Sequence, residues 1–306
     1  MTSPLIPPHQ DSKDPKFHLK GDGGGYFPTA ESALGYKDAV IHQASGYHKD
    51  RLRAIKHLLS MMADLRLNEN PEQGVMPESS PLSILDFGIG DGEELKQLEL
   101  RLGSLVGIDI SAHMVQLALE AFVDSDFRGI VGGVEALTGV EGDSIDLAFC
   151  VNTLGYLSHS DRQLFFEEMR RIIKPGGYLI VVTGNELFDL FALNSGTAEF
   201  FERNFGVAGV SELLTEGASL RFKNASRENP LNFGSVLNNC GFLEVGQAFS
   251  QWHRQPPIQL SRSGFDLRGA RGMPRDHDWD PNSLPPEISW RALFQCSIFG
   301  SLSRRG

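Results

Sequence analysis

Cysteine is scarce in this chain of 306 residues: Cys150, Cys240 and Cys296 lie far apart, with no C-x-x-C spacing. That excludes a thiolate zinc site and a vicinal redox pair, and it fits a reducing compartment. There is no H-E-x-x-H stretch, so the zincin arrangement is absent. There is no run of about 18 apolar residues, so no membrane-spanning helix is expected. Residues 1–10 lack a charged n-region and an apolar h-region, and the expectation is a cytoplasmic protein without a signal peptide. Dense basic clusters are missing too. Lys and Arg number 28 against 39 Asp and Glu, a net charge of −11, and the series Arg262, Arg268, Arg271, Arg275 is thin and mixed with acids. A nucleic-acid backbone is therefore not an expected partner. Hydrophobic content of 41% and charged content of 22% are ordinary for a globular chain of one large domain, or one domain with a cap.

What is present centres on Ser83-Ile84-Leu85-Asp86-Phe87-Gly88-Ile89-Gly90-Asp91-Gly92-Glu93-Glu94-Leu95. An apolar run ends in an acid, glycines recur at alternate positions, and a helix-forming stretch begins. This reads as a buried parallel strand, a tight turn and a helix. Without Cβ atoms, Gly88, Gly90 and Gly92 allow strained dihedrals and close approach to a ligand. A dinucleotide fingerprint, G-x-G-x-x-G, would need glycine at 93, where the chain has Glu93. A nicotinamide dehydrogenase is thereby disfavoured.

Alternation follows. Strands are expected at 105–110, 127–131, 144–151 and 178–183. Ser111 is an N-cap for a helix with Val115, Ala118, Leu119 and Phe122 on one face, and 162–173 is a helix stopped by Lys174-Pro175-Gly176-Gly177. Upstream, Leu52, Ile55, Leu59, Met62 and Leu65 share a helical face. Downstream, a helix around 233–240 precedes a strand over 242–253, and a last strand spans 290–302. Such alternation predicts a doubly wound α/β sheet. Asp109 follows Gly88 by 21 positions at a strand end, where a carboxylate accepts bonds from ribose hydroxyls. Asp276-His277-Asp278-Trp279-Asp280 is read as a solvated loop, since nothing fixes its ligands in one geometry, and no metal is expected.

These segments together resemble the class I S-adenosylmethionine-dependent methyltransferases over about residues 46–183. Asp86-x-Gly88-x-Gly90-x-Gly92 is similar to their first motif, and Gly107-Ile108-Asp109-Ile110-Ser111, with Met114 and Leu117-Ala118, to the second. Ser144 to Cys150 resembles the fourth-strand motif. The stretch from Leu164 to Leu179 resembles R-x-L-K-P-G-G and its surroundings, with Ile173 in place of the leucine. The resemblance implies a seven-stranded sheet of order 3-2-1-4-5-7-6 with the last strand antiparallel. It also implies S-adenosylmethionine as cofactor, with Asp86 helping to hold the methionine end. The acidic position after strand three is Gly133 here, so adenine contacts fall to Val134's backbone and to Glu135 or Ala136; plain loop is the other reading. Ile110, Asn152 and Tyr47 complete the expected cofactor set, Tyr47 closing over the methionine end or packing as a helix-start aromatic.

Four segments are expected: an arm or lid over 1–45, a cofactor-binding core over 46–183, an acceptor cap over 184–229, and a completing helix and strands over 230–306. The cap is rich in phenylalanine (188, 191, 200, 201, 205), which points to a small or medium, partly apolar acceptor. The carboxyl edge of the sheet receives candidates for proton removal: His253 first, then Tyr156 and Glu186, with a merely packed His253 as the alternative. Trp290 and Arg291 are expected at the same edge. After strand four the chain reads Asn152-Thr153-Leu154-Gly155, without N-P-P-Y or D-P-P-Y, which argues against a flipped-base or amide target. A macromolecule methyltransferase and a non-catalytic partner subunit of the same fold are the rival readings.

Overall fold

The computed structural model describes residues 45–69, 81–191, 197, 199–200, 203, 226–253, 281–283 and 290–306. The expected arm over 1–45 lies almost wholly outside these, as do most of the cap, the Asp276–Asp280 stretch and the side chains of Tyr47 and Trp290.

Among the described residues, seven strands form one sheet of order β3-β2-β1-β4-β5-β7-β6. They are β1 (Leu82–Phe87), β2 (Leu102–Asp109), β3 (Phe127–Val131), β4 (Ile145–Val151), β5 (Ile173–Gly184), β6 (Phe242–Trp252) and β7 (Cys296–Arg305). β1 to β5 run parallel, and β7 is antiparallel to both neighbours. The helices are α1 (Ser45–Glu69), α2 (Glu93–Lys96), α3 (Ala112–Ala121), α4 (His159–Ile172), α5 (Phe188–Phe191), α6 (Pro230–Asn239) and α7 (Trp290–Gln295).

The central strands are apolar on both faces because helices cover both. In β4, Ala148 and Cys150 join the core under α4 and α6, while Leu147 and Phe149 join the core under α1 and α3. Cys150 is sealed in, and burial pushes its thiol far up, which removes it from chemistry. α1 buries Leu52, Ile55, Leu58 and Met62, whereas Leu59, expected inward, is half-buried. It lies close on the sheet because glycine faces it: a Cβ at Gly246 would stand 2.2 Å from Met61 Cε, and one at Gly300 2.8 Å from Leu58 Cδ1. Ser111 caps α3 by accepting from the Met114 N–H, as its position predicts.

Two local expectations fail. α4 ends at Ile172 before Lys174-Pro175-Gly176-Gly177, and Ile173 already pairs with Ile145. The next pair is Leu147 with Tyr178, so the glycines, with Gly176 at φ +77°, absorb a bulge inside β5 rather than ending a helix. The stretch expected as a strand from Trp290 begins as a helix, and β7 starts only at Cys296. Its first turn is tied down by Asn185, wholly buried, whose Nδ2 donates to the carbonyls of Leu293 (2.6 Å) and Cys296 (2.8 Å).

Candidate active site

The turn after β1 takes its shape from three glycines in the left-handed region: Gly88 (φ +83°), Gly90 (φ +59°) and Gly92 (φ +76°). Their surroundings differ. A Cβ at Gly88 would stand 2.0 Å from Thr153 Oγ1, and one at Gly92 2.7 Å from the Phe122 ring. At Gly90 nothing lies within 4 Å. A side chain at Gly88 or Gly92 would meet protein, whereas at Gly90 it would enter open space; the backbones of Gly88 and Gly90 both line a cavity beside the turn.

The turn is fastened to β2 through Asp109. Its Oδ2 accepts from the Gly90 N–H (3.0 Å) and its Oδ1 from the Ser111 N–H (2.8 Å). Each oxygen keeps a further lone pair for a hydroxyl. Burial raises this carboxyl from its ordinary range, and the two backbone donors partly restore it. Ile110 follows, half-buried.

A cavity of about 90 Å³ opens beside the turn, lined by Asp86, Gly88, Gly90, Asp91 and Asn152, and on its far wall by His48, Arg51, Ile55 and Glu94. Asn152 reaches it at φ +53°, its N–H donating to Val182 O (2.7 Å). Asp86 is buried, and its Oδ1 has no partner among the described residues. Burial pushes its carboxyl well above the usual range, and the charges of Glu94 and Asp109 add to this. Such an oxygen fits a cation arriving from outside the chain.

The far wall was missed by the sequence reading. Arg51, 7% exposed, lies in α1 and donates from Nε to Glu94 Oε1 (2.6 Å) and from Nη2 to Glu94 Oε2 (2.5 Å). His48 lies one turn earlier, between Arg51 Nη2 (3.4 Å) and Gln97 Oε1 (3.1 Å). A signal existed: the apolar stripe of Leu52, Ile55, Leu58 and Met62, extended back one turn, meets His48 and Arg51. Polar residues on the buried stripe of a helix mark the part that leaves the core for a site.

At the end of β3, Val134 is buried, Ala136 half-buried and Glu135 exposed. Glu135 turns back so that its Oε1 accepts from the Gly133 N–H (2.8 Å), and its Oε2 lies 2.7 Å from where a Cβ of residue 133 would stand. The Glu135 carboxylate thus occupies the space that a side chain at position 133 would take.

The three candidates for proton transfer lie on the β4–β6 side of the carboxyl edge. Tyr156, half-buried, is the last residue of a 3-10 turn over Leu154–Tyr156. Glu186 is exposed, with its N–H bound to Glu228 O (2.8 Å). His253 stacks on buried Phe188 with ring centroids 4.9 Å apart, and its N–H donates to Gln295 O (2.9 Å). The return segment 226–228 laces this edge together. Ser226 N donates to Gly155 O (2.7 Å), Glu228 N to Gly184 O (2.9 Å), and Glu228 pairs with Arg162 at 2.5 Å. Among the described residues no group of His, Cys, Asp and Glu is arranged to hold a metal ion.

A glycine turn, an acid at the next strand end and a charged cavity lie together at the carboxyl edge of a doubly wound sheet. Comparison with known proteins bears on what such a sheet does. Residues 85–181 match the methyltransferase domain family. The chain is 26% identical over 231 residues to the ubiquinone biosynthesis O-methyltransferase of Xanthomonas axonopodis pv. citri, covering 70% of this chain and 90% of that protein. To the enzyme of the same name from Xanthomonas oryzae pv. oryzae it is 34% identical over 125 residues, 39% of this chain and half of the other. The N-methyltransferase NodS from Bradyrhizobium japonicum, solved with S-adenosyl-L-homocysteine, shares the fold, with a TM-score of 0.50 at 14% identity over 91% of this chain and 97% of that one. The matched segment is a methyltransferase domain, the chain is similar to S-adenosylmethionine-dependent methyltransferases of this fold, and the enzyme's cofactor is S-adenosylmethionine.

Proposed function

We propose that this enzyme methylates a hydroxyl oxygen on a small or medium-sized, partly apolar aromatic metabolite. The observation that carries this reading is the similarity, over 70% of the chain, to a relative named as an O-methyltransferase of ubiquinone biosynthesis. The aromatic side chains on the acceptor edge, Phe188, Trp252, His253 and Tyr156, support it, since flat rings receive flat rings.

The cofactor, when bound, supplies a methyl group already activated by a sulfonium, so the protein's work is alignment and proton removal. Asp86, with its unpartnered Oδ1 in the cavity, takes the ammonium of the amino-acid end, and Arg51 takes the carboxylate. Asp109 would receive the ribose hydroxyls on its spare lone pairs, with Ile110 beside it, and Val134, Glu135 and Ala136 would line the adenine. Gly90 gives the cofactor its close approach. On the acceptor side His253 removes the hydroxyl proton, with Tyr156 and Glu186 as the other candidates.

The test is transfer from methyl-labelled cofactor by the full chain to a panel of catechols, phenols, amines and thiols, with products identified by mass spectrometry. An aryl methyl ether is the expected product. An N-methylated product, or turnover only with protein or nucleic acid, would refute the proposal.

A further inference from the structure

We infer that His48 is a positioning residue for cofactor binding: as the neutral imidazole protonated on Nε2, it fixes the guanidinium of Arg51. The inference rests on the reading of Arg51 as receiver of the cofactor's carboxylate.

The proton order follows from the contacts. Gln97 Nε2 donates to Glu93 Oε1 (3.0 Å), because a carboxylate only accepts. Gln97 therefore presents its oxygen to His48 Nε2 at 3.1 Å, and that nitrogen carries the proton. Nδ1 is left with a lone pair, and it faces Arg51 Nη2, a donor only, at 3.4 Å. Glu93 thus sets the place of a guanidinium on another helix through one amide and one imidazole. Glu94 holds the same guanidinium through Nε and Nη2. Glu94 holds one edge of the planar fork and His48 adds an acceptor at Nη2, so losing His48 loosens the fork.

His48 is only 5% exposed, so losing a partner there costs more than at the surface. The charged groups around it are Arg51 on its own helix, Glu93 and Glu94 on α2, and Asp86 and Asp91 across the cavity. Glu93 is already engaged by Gln97, and Glu94 by Arg51. Without His48, Arg51 Nη2 loses that acceptor, the carboxylate receiver loses its alignment, and cofactor binding weakens.

The experiment is calorimetric titration of the full chain with S-adenosylhomocysteine. His48→Ala is expected to weaken binding about 3–10-fold, as for a lost buried hydrogen bond. His48→Gln, which can donate to Gln97, recovers that loss. Nitrogen NMR of labelled histidine shows His48 with its proton on Nε2. Wild-type binding in His48→Ala, no recovery in His48→Gln, or a proton on Nδ1 would overturn the inference, while the Arg51 reading stands if Arg51→Ala still weakens binding about tenfold or more. Unchanged binding in Arg51→Ala sinks both.

Discussion

The contrast between Gly88 and Gly90 gives the sharpest test, because the two positions share a backbone conformation and differ in what a methyl group would meet. Alanine in the left-handed region costs about 1–2 kcal/mol at either position. At Gly90 nothing lies within 4 Å, so this is the whole stability cost, or about 2–8 °C in melting temperature. At Gly88 the new Cβ meets Thr153 Oγ1 at 2.0 Å and Cβ at 2.8 Å, and overpacking adds about 1–3 kcal/mol. Swinging Thr153 aside also breaks its hydroxyl bond to Val151 O (3.1 Å), about 1 kcal/mol more. The sum for Gly88→Ala is about 3–6 kcal/mol, a large part of an ordinary domain's stability. For ligand binding the order reverses. Gly90→Ala puts its methyl where the cofactor lies and lowers affinity about 5–150-fold, if the overlap costs the same 1–3 kcal/mol. Denaturant unfolding and calorimetry with S-adenosylhomocysteine measure both quantities, and Thr153→Ala in the Gly88→Ala background recovers part of the stability. Wild-type affinity in Gly90→Ala, or wild-type stability in Gly88→Ala, would refute this division of roles.

Further outcomes are expected at the acids and at the acceptor edge. Asp109→Ala lowers cofactor affinity by about 1.5–3 kcal/mol, read as the dissociation constant; an unchanged value removes Asp109 from the site. Asp86, raised by burial from 3.8, binds its proton more tightly in the folded state, so stability falls as pH rises from there through the raised native value. Asp86→Asn removes that penalty and is expected to melt higher than wild type near neutral pH while binding the cofactor more weakly; melting curves that rise together with pH in both proteins contradict this. His253→Ala spares cofactor binding and slows transfer, and equal losses in both would assign His253 to packing against Phe188.

The sheet could be read from the sequence because the central parallel strands β1, β4 and β5, buried on both faces, are compact apolar runs, and several turns carry a glycine or a cap. The place of Asp109 at the end of β2 was legible for the same reason: its distance along one strand–turn–strand unit is set locally. The last strand was read too early because Asn185, more than a hundred positions upstream, ties down the turn of helix before Cys296. The bulge at Gly176 was likewise invisible until β4 fixed the register.

By itself the sequence determined which segments are strands, where the chain turns, and which strand end carries an acid, since propensity, capping and periodicity act over a few residues. Only the tertiary structure decided that Gly90 faces open space while Gly88 and Gly92 face Thr153 and Phe122. It also decided that the wall opposite Asp86 is built by His48 and Arg51, more than thirty residues earlier in the chain. Those contacts join elements distant in sequence, and their energies depend on burial and angle, which no local pattern encodes.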